Sequence, residues 1–264
     1  NWDEFTFGIW SPWWWGSGRY RGSVELPDAE SKVQTLYGRT DASGEHYLDV
    51  ALDALDPPQA TNLTAEASVM DVNRQAWAAS TQLLVHPANL YVGLRSGRTF
   101  VEKGQPIVVE AIVVDLEGGV VVEHAIKVRA VRLEWKWVKG EWQEVEADAQ
   151  ICNTTSAGEP VTCRFDTPEG GTYRIVASVV DDQGRTNVTQ ITRWVSGSER
   201  PNADKVEQES VELIPDKQIY NPGDTAEILV QAPFRPAEGL MTVQRDGLIS
   251  SERFTMSEGT YTLR

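Results

Sequence analysis

Cysteine, histidine and positive charge are scarce in this sequence, and each shortage narrows what the chain can be. Two cysteines in 264 residues are too few for a disulfide-dense scaffold. His46, His86 and His124 stand apart from one another and from any ligand pair, which argues against a metal site. Lys and Arg total 24 against 39 Asp and Glu, a net charge of −15. Phosphate binding needs clustered cations, so nucleic acid is not an expected partner, and the acidic balance reads as solubility. No run of 18 apolar residues occurs, so no membrane span is expected. No Ser-His-Asp order, glycine-rich phosphate loop or pair of catalytic carboxylates stands out. The expectation is a protein that is not an enzyme and has no cofactor. "DALDPP", residues 53–58, sets two carboxylates beside prolines, too few oxygens for calcium. The chain opens on "NWDEFTFGIW", with neither a leading Met nor a signal-peptide pattern, as a mature product or a piece of a longer chain would.

What is present is strand signal. The length suggests two domains or pieces of three, and 41% hydrophobic residues are enough for real cores. Val, Ile, Thr and aromatics alternate in short runs between Gly, Pro, Asn and Asp. "TYRIVASVVDDQGRTNVTQITRWV" predicts a hairpin. Tyr173, Ile175, Ala177 and Val179 point one way, and Val188, Gln190, Thr192 and Trp194 return. "KVRAVRLEWKWVKGEWQEVEADAQI" predicts a second hairpin, turning at Lys139 and Gly140. The best helical candidate, "VNRQAWAAS", is short and sits in a hairpin context.

Cys152 and Cys163 bracket "CNTTSAGEPVTC", a stretch with turn formers Ser156, Gly158 and Pro160. A disulfide across a hairpin is the leading reading, and two buried thiols are the other. The disulfide would contribute about 2–3 kcal/mol on the chain-entropy model and would imply an oxidising compartment.

Two internal echoes set a period. "VEKGQPIVVEAIVV", residues 101–114, matches "NPGDTAEILVQAPF", residues 221–234, with Gly104 and Gly223 at an offset of 119. The same offset pairs Ile107 with Ala226, Val109 with Ile228, Ala111 with Val230 and Val113 with Ala232, one apolar face in both copies. "EASVMDVNRQ", residues 66–75, matches "VASVVDDQGR", residues 176–185, at an offset of 110. One echo comes from the start of a module and the other from its end. Together they bracket a unit of about 110 residues, the size of an immunoglobulin-like or fibronectin-like β-sandwich. The expected fold is all-β, tandem antiparallel β-sandwiches. Residues 1–87 would be the later part of one module, 88–198 a complete one, 199–208 a linker within the polar stretch 196–210, and 209–264 the opening of a third.

"STQLLVHPANLYVGLRSGRTFVEKGQPIVVEAIVVDLEG" resembles the junction between consecutive macroglobulin-like domains of bacterial alpha-2-macroglobulins. "VELIPDKQIYNPGDTAEILVQAPF" and "GLMTVQRDGLISSERF" resemble the opening of a later domain of that family. The resemblance implies a multi-domain envelope protein that cages a protease after the protease cuts a bait segment. Its partners would be target proteases and neighbouring macroglobulin-like domains, and its location the periplasm or cell surface, with or without a lipid anchor on the parent. Many members carry a thioester in a Cys-Gly-Glu-Gln context. The only Glu-Gln pair here, Glu207 and Gln208, follows "DKV" without Cys, so no thioester is expected in this segment.

Trp13, Trp14 and Trp15, in "SPWWWGSGRY", cannot all face one core, because a strand alternates sides. Inter-domain packing is the first reading. A partner surface is the second, and with it an alternative function as a surface adhesin or carbohydrate-binding protein. Asn62, Asn153 and Asn187 lie in glycosylation sequons, which matter only in a eukaryotic secretory pathway. The stretch 196–210 offers Arg200 and Lys205 to trypsin-like proteases as a bait, against the plainer reading of a linker.

Overall fold

Alternating β-branched residues punctuated by Gly, Asp and Pro favour short strands over helices. The computed structural model describes residues 2–9, 33–49, 57–138, 141–197, 211–217, 219–232 and 235–264, and every regular element among them is a strand. Two sheets form a β-sandwich. One has the order β1 (Thr6–Phe7), β4 (Leu90–Arg95), β6 (Ile107–Asp115), β9 (Val161–Phe165). The other has the order β5 (Phe100–Val101), β11 (Thr186–Val195), β10 (Gly171–Val180), β7 (Ala125–Val138), β8 (Glu141–Thr155). Neighbours run antiparallel except β5 and β11, which run parallel. Every second residue turns inward: Val92 and Leu94, Ile107 to Val113, Ile126 to Ala130, and Tyr173 to Val179 form one buried core. The Tyr173 ring is fully buried, and its hydroxyl donates to the Glu169 carbonyl four residues upstream at 2.9 Å, fixing the corner before β10.

Both predicted hairpins form. β10 and β11 pair from Gly171↔Val195 to Val180↔Thr186. β7 and β8 pair up to Val138↔Glu141, with residues 139 and 140 outside the described set. The expected face of β11 needs correction in detail. Its buried positions are Asn187, Thr189, Ile191 and Val195, opposite Val179, Ala177, Ile175 and Gly171 on β10. Val188, Gln190, Thr192 and Trp194 form the other face. The sequence misleads here because two of the inward residues are polar, and the reason lies in how the two sheets meet, described below.

Flanking the sandwich are a hairpin of β2 (Thr61–Met70) and β3 (Ala76–Val85), a sheet of β12 (Glu212–Pro215), β13 (Ile228–Gln231) and β16 (Thr260–Leu263), and a hairpin of β14 (Ala237–Arg245) and β15 (Gly247–Met256). The helical candidate 72–80 belongs to the β2–β3 turn and to β3. In the last region Val230, Ala232, Met256 and Leu263 form a small second core, with Phe254 stacked on Tyr261 at 4.8 Å.

Candidate functional surfaces

Among the described residues one turn occurs four times. Asp41, Asp71, Asp115 and Asp181 each begin a five-residue loop, and the carboxylate Oδ1 accepts from the backbone N–H two and four residues on. The Asp N–H donates to the carbonyl four residues on, and its own carbonyl accepts from the residue three on. That third residue has positive φ in each: Gly44, Arg74, Gly118 and Gly184. Glycine takes this conformation without a Cβ penalty, whereas Arg74 takes it at a cost. A left-handed residue closing such a loop matches the right-handed twist of the strands it joins.

Asp71 and Asp181 are the pair from the 110-residue echo. Every pair from Thr61↔Val85 to Met70↔Ala76 maps by that offset onto one from Gly171↔Val195 to Val180↔Thr186. The 119-residue echo is equally regular. Gln105 donates to the Glu102 carbonyl around Gly104 (φ 86°), and Asp224 to the Asn221 carbonyl around Gly223 (φ 94°). Leu94↔Ala111 maps onto Leu213↔Val230. The apolar face is kept only in part, since Ile107 is buried and Ala226 is exposed.

The polar residues of β11 close the corner between the two sheets. Val92 N–H donates to Asn187 Oδ1 at 3.0 Å, and Thr189 Oγ1 donates to the Val92 carbonyl. The outer edge of β4 is thereby satisfied by side chains where no strand reaches it. Further along, residues 2–9 lie against the same corner, with Thr6↔Leu94 and Phe7↔Gly93 paired as β1. Asp181 adds a tie to the start of β4: Asn89 N–H donates to its Oδ2 at 2.9 Å. Burial pushes the Asp181 carboxyl up. The N–H groups of Asn89 and Arg185, the Arg185 guanidinium and the Gln183 N–H outweigh that and hold its pKa at about 2.

A second seam joins the sandwich to the β12–β13–β16 sheet. Phe100 and Trp194 pack against Ile214 and Leu229. Thr99 N–H donates to the Asp216 carbonyl at 3.0 Å, and Gly197 N–H to Thr260 Oγ1 at 2.8 Å. Arg98 is paired with Glu227 and lies 3.9 Å from Asp216, and Arg264 bridges Glu102 and Glu227 at 3.0 and 3.1 Å. The Arg98 hydrogen bond is the main influence lowering the Glu227 pKa. A shallow crevice of about 380 Å³ beside this seam is lined by residues of both regions, including Lys103, Glu258 and Tyr261.

Cys152 and Cys163 are joined, Cα to Cα 6.0 Å. The geometry differs from the hairpin expected. Cys152 belongs to β8 in the five-stranded sheet and Cys163 to β9 in the other, so the bond stitches the two faces of the sandwich. The chain changes sheets across residues 156–160, which spacing alone does not reveal.

Of the three sequon asparagines, Asn62 and Asn153 are exposed, but Asn187 is 1% exposed with its side chain engaged by Val92. Asn187 has no room for a glycan in the folded sandwich. His86 Nδ1 lies 2.8 Å from the Tyr91 hydroxyl, a junction contact. Among the described residues no three His, Cys, Asp or Glu side chains gather as metal ligands, and no helix is long and apolar enough to cross a membrane. Trp13, Trp14 and Trp15, residues 53–56 of "DALDPP" and the linker 199–208 lie outside the described residues.

No family model matches the chain. An alpha-2-macroglobulin homolog from Nostoc sp. is 26% identical over 255 residues, covering 93% of this chain. The chain is thus similar to an alpha-2-macroglobulin over nearly its whole length. This agrees with the resemblance carried by the junction and module-opening motifs. The chain spans 13% of that relative's length. Among solved structures, the native conformation of E. coli alpha-2-macroglobulin matches 77% of this chain and 14% of its own, at 18% identity and a TM-score of 0.33. Trypsin-activated alpha-2-macroglobulin from E. coli matches 75% and 15%, at 18% identity and a TM-score of 0.34. Those overall superpositions are loose, so the all-β sandwich described here rests on its own strands and their registers.

Proposed function

We propose that this chain is a scaffold segment of a bacterial alpha-2-macroglobulin-like protease trap, exported to the periplasm or cell surface, with no catalysis of its own. The observation that carries this reading is the 26% identity to an alpha-2-macroglobulin homolog across nearly the whole chain. In this reading residues 1–87 close one macroglobulin-like module, 88–198 form a complete one, 199–208 link, and 209–264 open a third. The 110- and 119-residue register equivalences support that division. Trapping then works through mechanics. A cut in a bait elsewhere in the parent releases a constraint, and the sandwiches re-dock as near-rigid bodies. The partners of this segment are neighbouring modules of the same chain, and the protease is met by the whole parent.

The test uses the parent protein and trypsin. The expected outcome is that captured trypsin loses activity on a large protein substrate while still cleaving a small peptide one. Amide protection across residues 90–195 would persist while that of the stretch 196–210 changes. Trypsin that stays fully active on large substrates, or a sandwich whose amides become exposed after the cut, overturns the reading.

A further inference from the structure

Residues 2–9 reach a sandwich whose next strand, β4, lies some eighty residues downstream in the chain, yet they are held at several points. The acceptor is the corner between β4 and β11. Beyond Val92 no side chain of β11 satisfies the β4 edge, and β1 pairs there through Phe7↔Gly93 and Thr6↔Leu94. The strand then crosses to the other sheet: Gly8 N–H donates to Thr189 Oγ1 at 2.8 Å, and Gln190 N–H donates to the Gly8 carbonyl at 3.2 Å. The Thr189 hydroxyl therefore uses its donor on β4 and an acceptor lone pair on Gly8, just past β1.

Side chains give the corner selectivity. Gly93 leaves a recess that the Phe7 ring fills, since a Cβ at Gly93 would lie 2.6 Å from the Phe7 ring atoms Cε1 and Cζ. Arg95 lies over the Phe5 ring at 4.7 Å and pairs with both Glu4 and Glu110. Trp2 Nε1 donates to the Gly118 carbonyl at 3.0 Å and meets Phe5 edge-on. Gly8, at φ 80°, makes the bend that carries the segment from one sheet to the other.

We propose that the β4–β11 corner is a strand-addition site for an extended aromatic–x–aromatic–Gly peptide, filled in cis by residues 2–9 of the same chain. Main-chain pairing supplies adhesion, and the Gly93 recess and the Arg95 shelf supply selectivity. Covalent attachment makes the addition intramolecular, so a weak site stays filled. The strand is separable: it adds to a core that β4, β6, β9, β7, β10 and β11 complete without it.

The experiment deletes residues 1–9 from the chain and follows amide exchange at Gln190, whose N–H meets Gly8, with Ile191 as internal reference. Deletion should speed Gln190 exchange at least about tenfold and leave Ile191 unchanged. A synthetic peptide of residues 2–9 should restore the protection, and a Phe7→Ala peptide should need at least about tenfold more. Gly93→Val in the deleted chain should abolish rescue, and the Phe7→Ala peptide keeps the test intact if that variant does not fold. Gln190 exchange unchanged by deletion, or no rescue with Ile191 still protected, overturns the proposal. So does Gln190 protection in the intact chain that appears only as dimers form with rising concentration, because the strand would then come from a second copy.

Discussion

The β2–β3 and β10–β11 hairpins share ten pairings in one register and the same Asp-anchored turn, yet their fates differ. In β10 the inward row of Tyr173, Ile175, Ala177 and Val179 is at most 1% exposed. The equivalent row of β2 is Leu63, Ala65, Ala67 and Val69, and Val69 is 52% exposed, opposite Trp77 at 70%. Pairing is encoded locally by alternation and turn chemistry, and both hairpins carry that code. Burial is encoded by what lies across the sandwich, and only β10–β11 faces β4, β6 and β9 here. An amphipathic hairpin with one almost wholly apolar face is the shape of half a sandwich.

The largest break in this symmetry should come from truncating equivalent inward residues. Ile175→Ala should destabilise the chain by about 2–5 kcal/mol, the cost of a cavity in a dry core. Val69→Ala in this same chain should stay within about 0.5 kcal/mol. Urea melts followed at the sandwich decide it, and equal losses would mean that the β2–β3 face is already covered. On the proposed reading of this chain as a segment of a larger protein, the same Val69→Ala change made in that protein sharpens the comparison, because a facing sheet there would raise its cost toward that of a buried valine.

The turns should differ next. Asp181 is buried and ties Asn89 at the start of β4 in addition to its own loop, whereas Asp71 binds the Asn73 and Gln75 N–H groups of its own loop. A carboxyl held at about pKa 2 in the folded state, against an ordinary value of 3.8, contributes stability that is full above pH 4 and lost as pH falls toward 2. The loss should be on the order of 1–2 kcal/mol after screening. Asp181→Asn should flatten that acid limb, and Asp71→Asn should leave it. A limb unchanged by Asp181→Asn would assign it to other carboxylates.

The smallest effects sit at the left-handed position. Gly184→Ala should cost about 1 kcal/mol, and Arg74→Gly should gain a few tenths of a kcal/mol. Thermal melts resolve both, and a loss on Arg74→Gly would show that the side chain earns its strained backbone.

Much of this was legible in the sequence, and the misses have a common cause. Residues 173–179 carry an apolar side chain at every second position, so β10 and its buried face could be read directly. The echoes at Gly104 and Asp181 carried their turns with them, because an Asp or a Gly in such loops performs a local task. What escaped was every feature that depends on the second sheet. Asn187 and Thr189 look like surface residues until β4 presents an unpaired Val92 to them. Cys152 and Cys163 look like hairpin partners until the chain switches sheets between them. Residues 2–9 show no sign in their own pattern of the distant corner they fill. The Arg98, Phe100, Ile214 and Leu229 seam is likewise spread over more than a hundred residues.

The bond between Cys152 and Cys163 has a mechanical meaning. A chain pulled from its two ends yields its folded length as each module gives way. The residues between these cysteines are withheld from that extension, since the bond carries the load past them. An oxidised chain should come out about 30 Å shorter at full stretch than a reduced one, counting the residues bypassed against the 6.0 Å that the bond spans. Under tension such a shortcut keeps the two sheets of the sandwich from sliding apart.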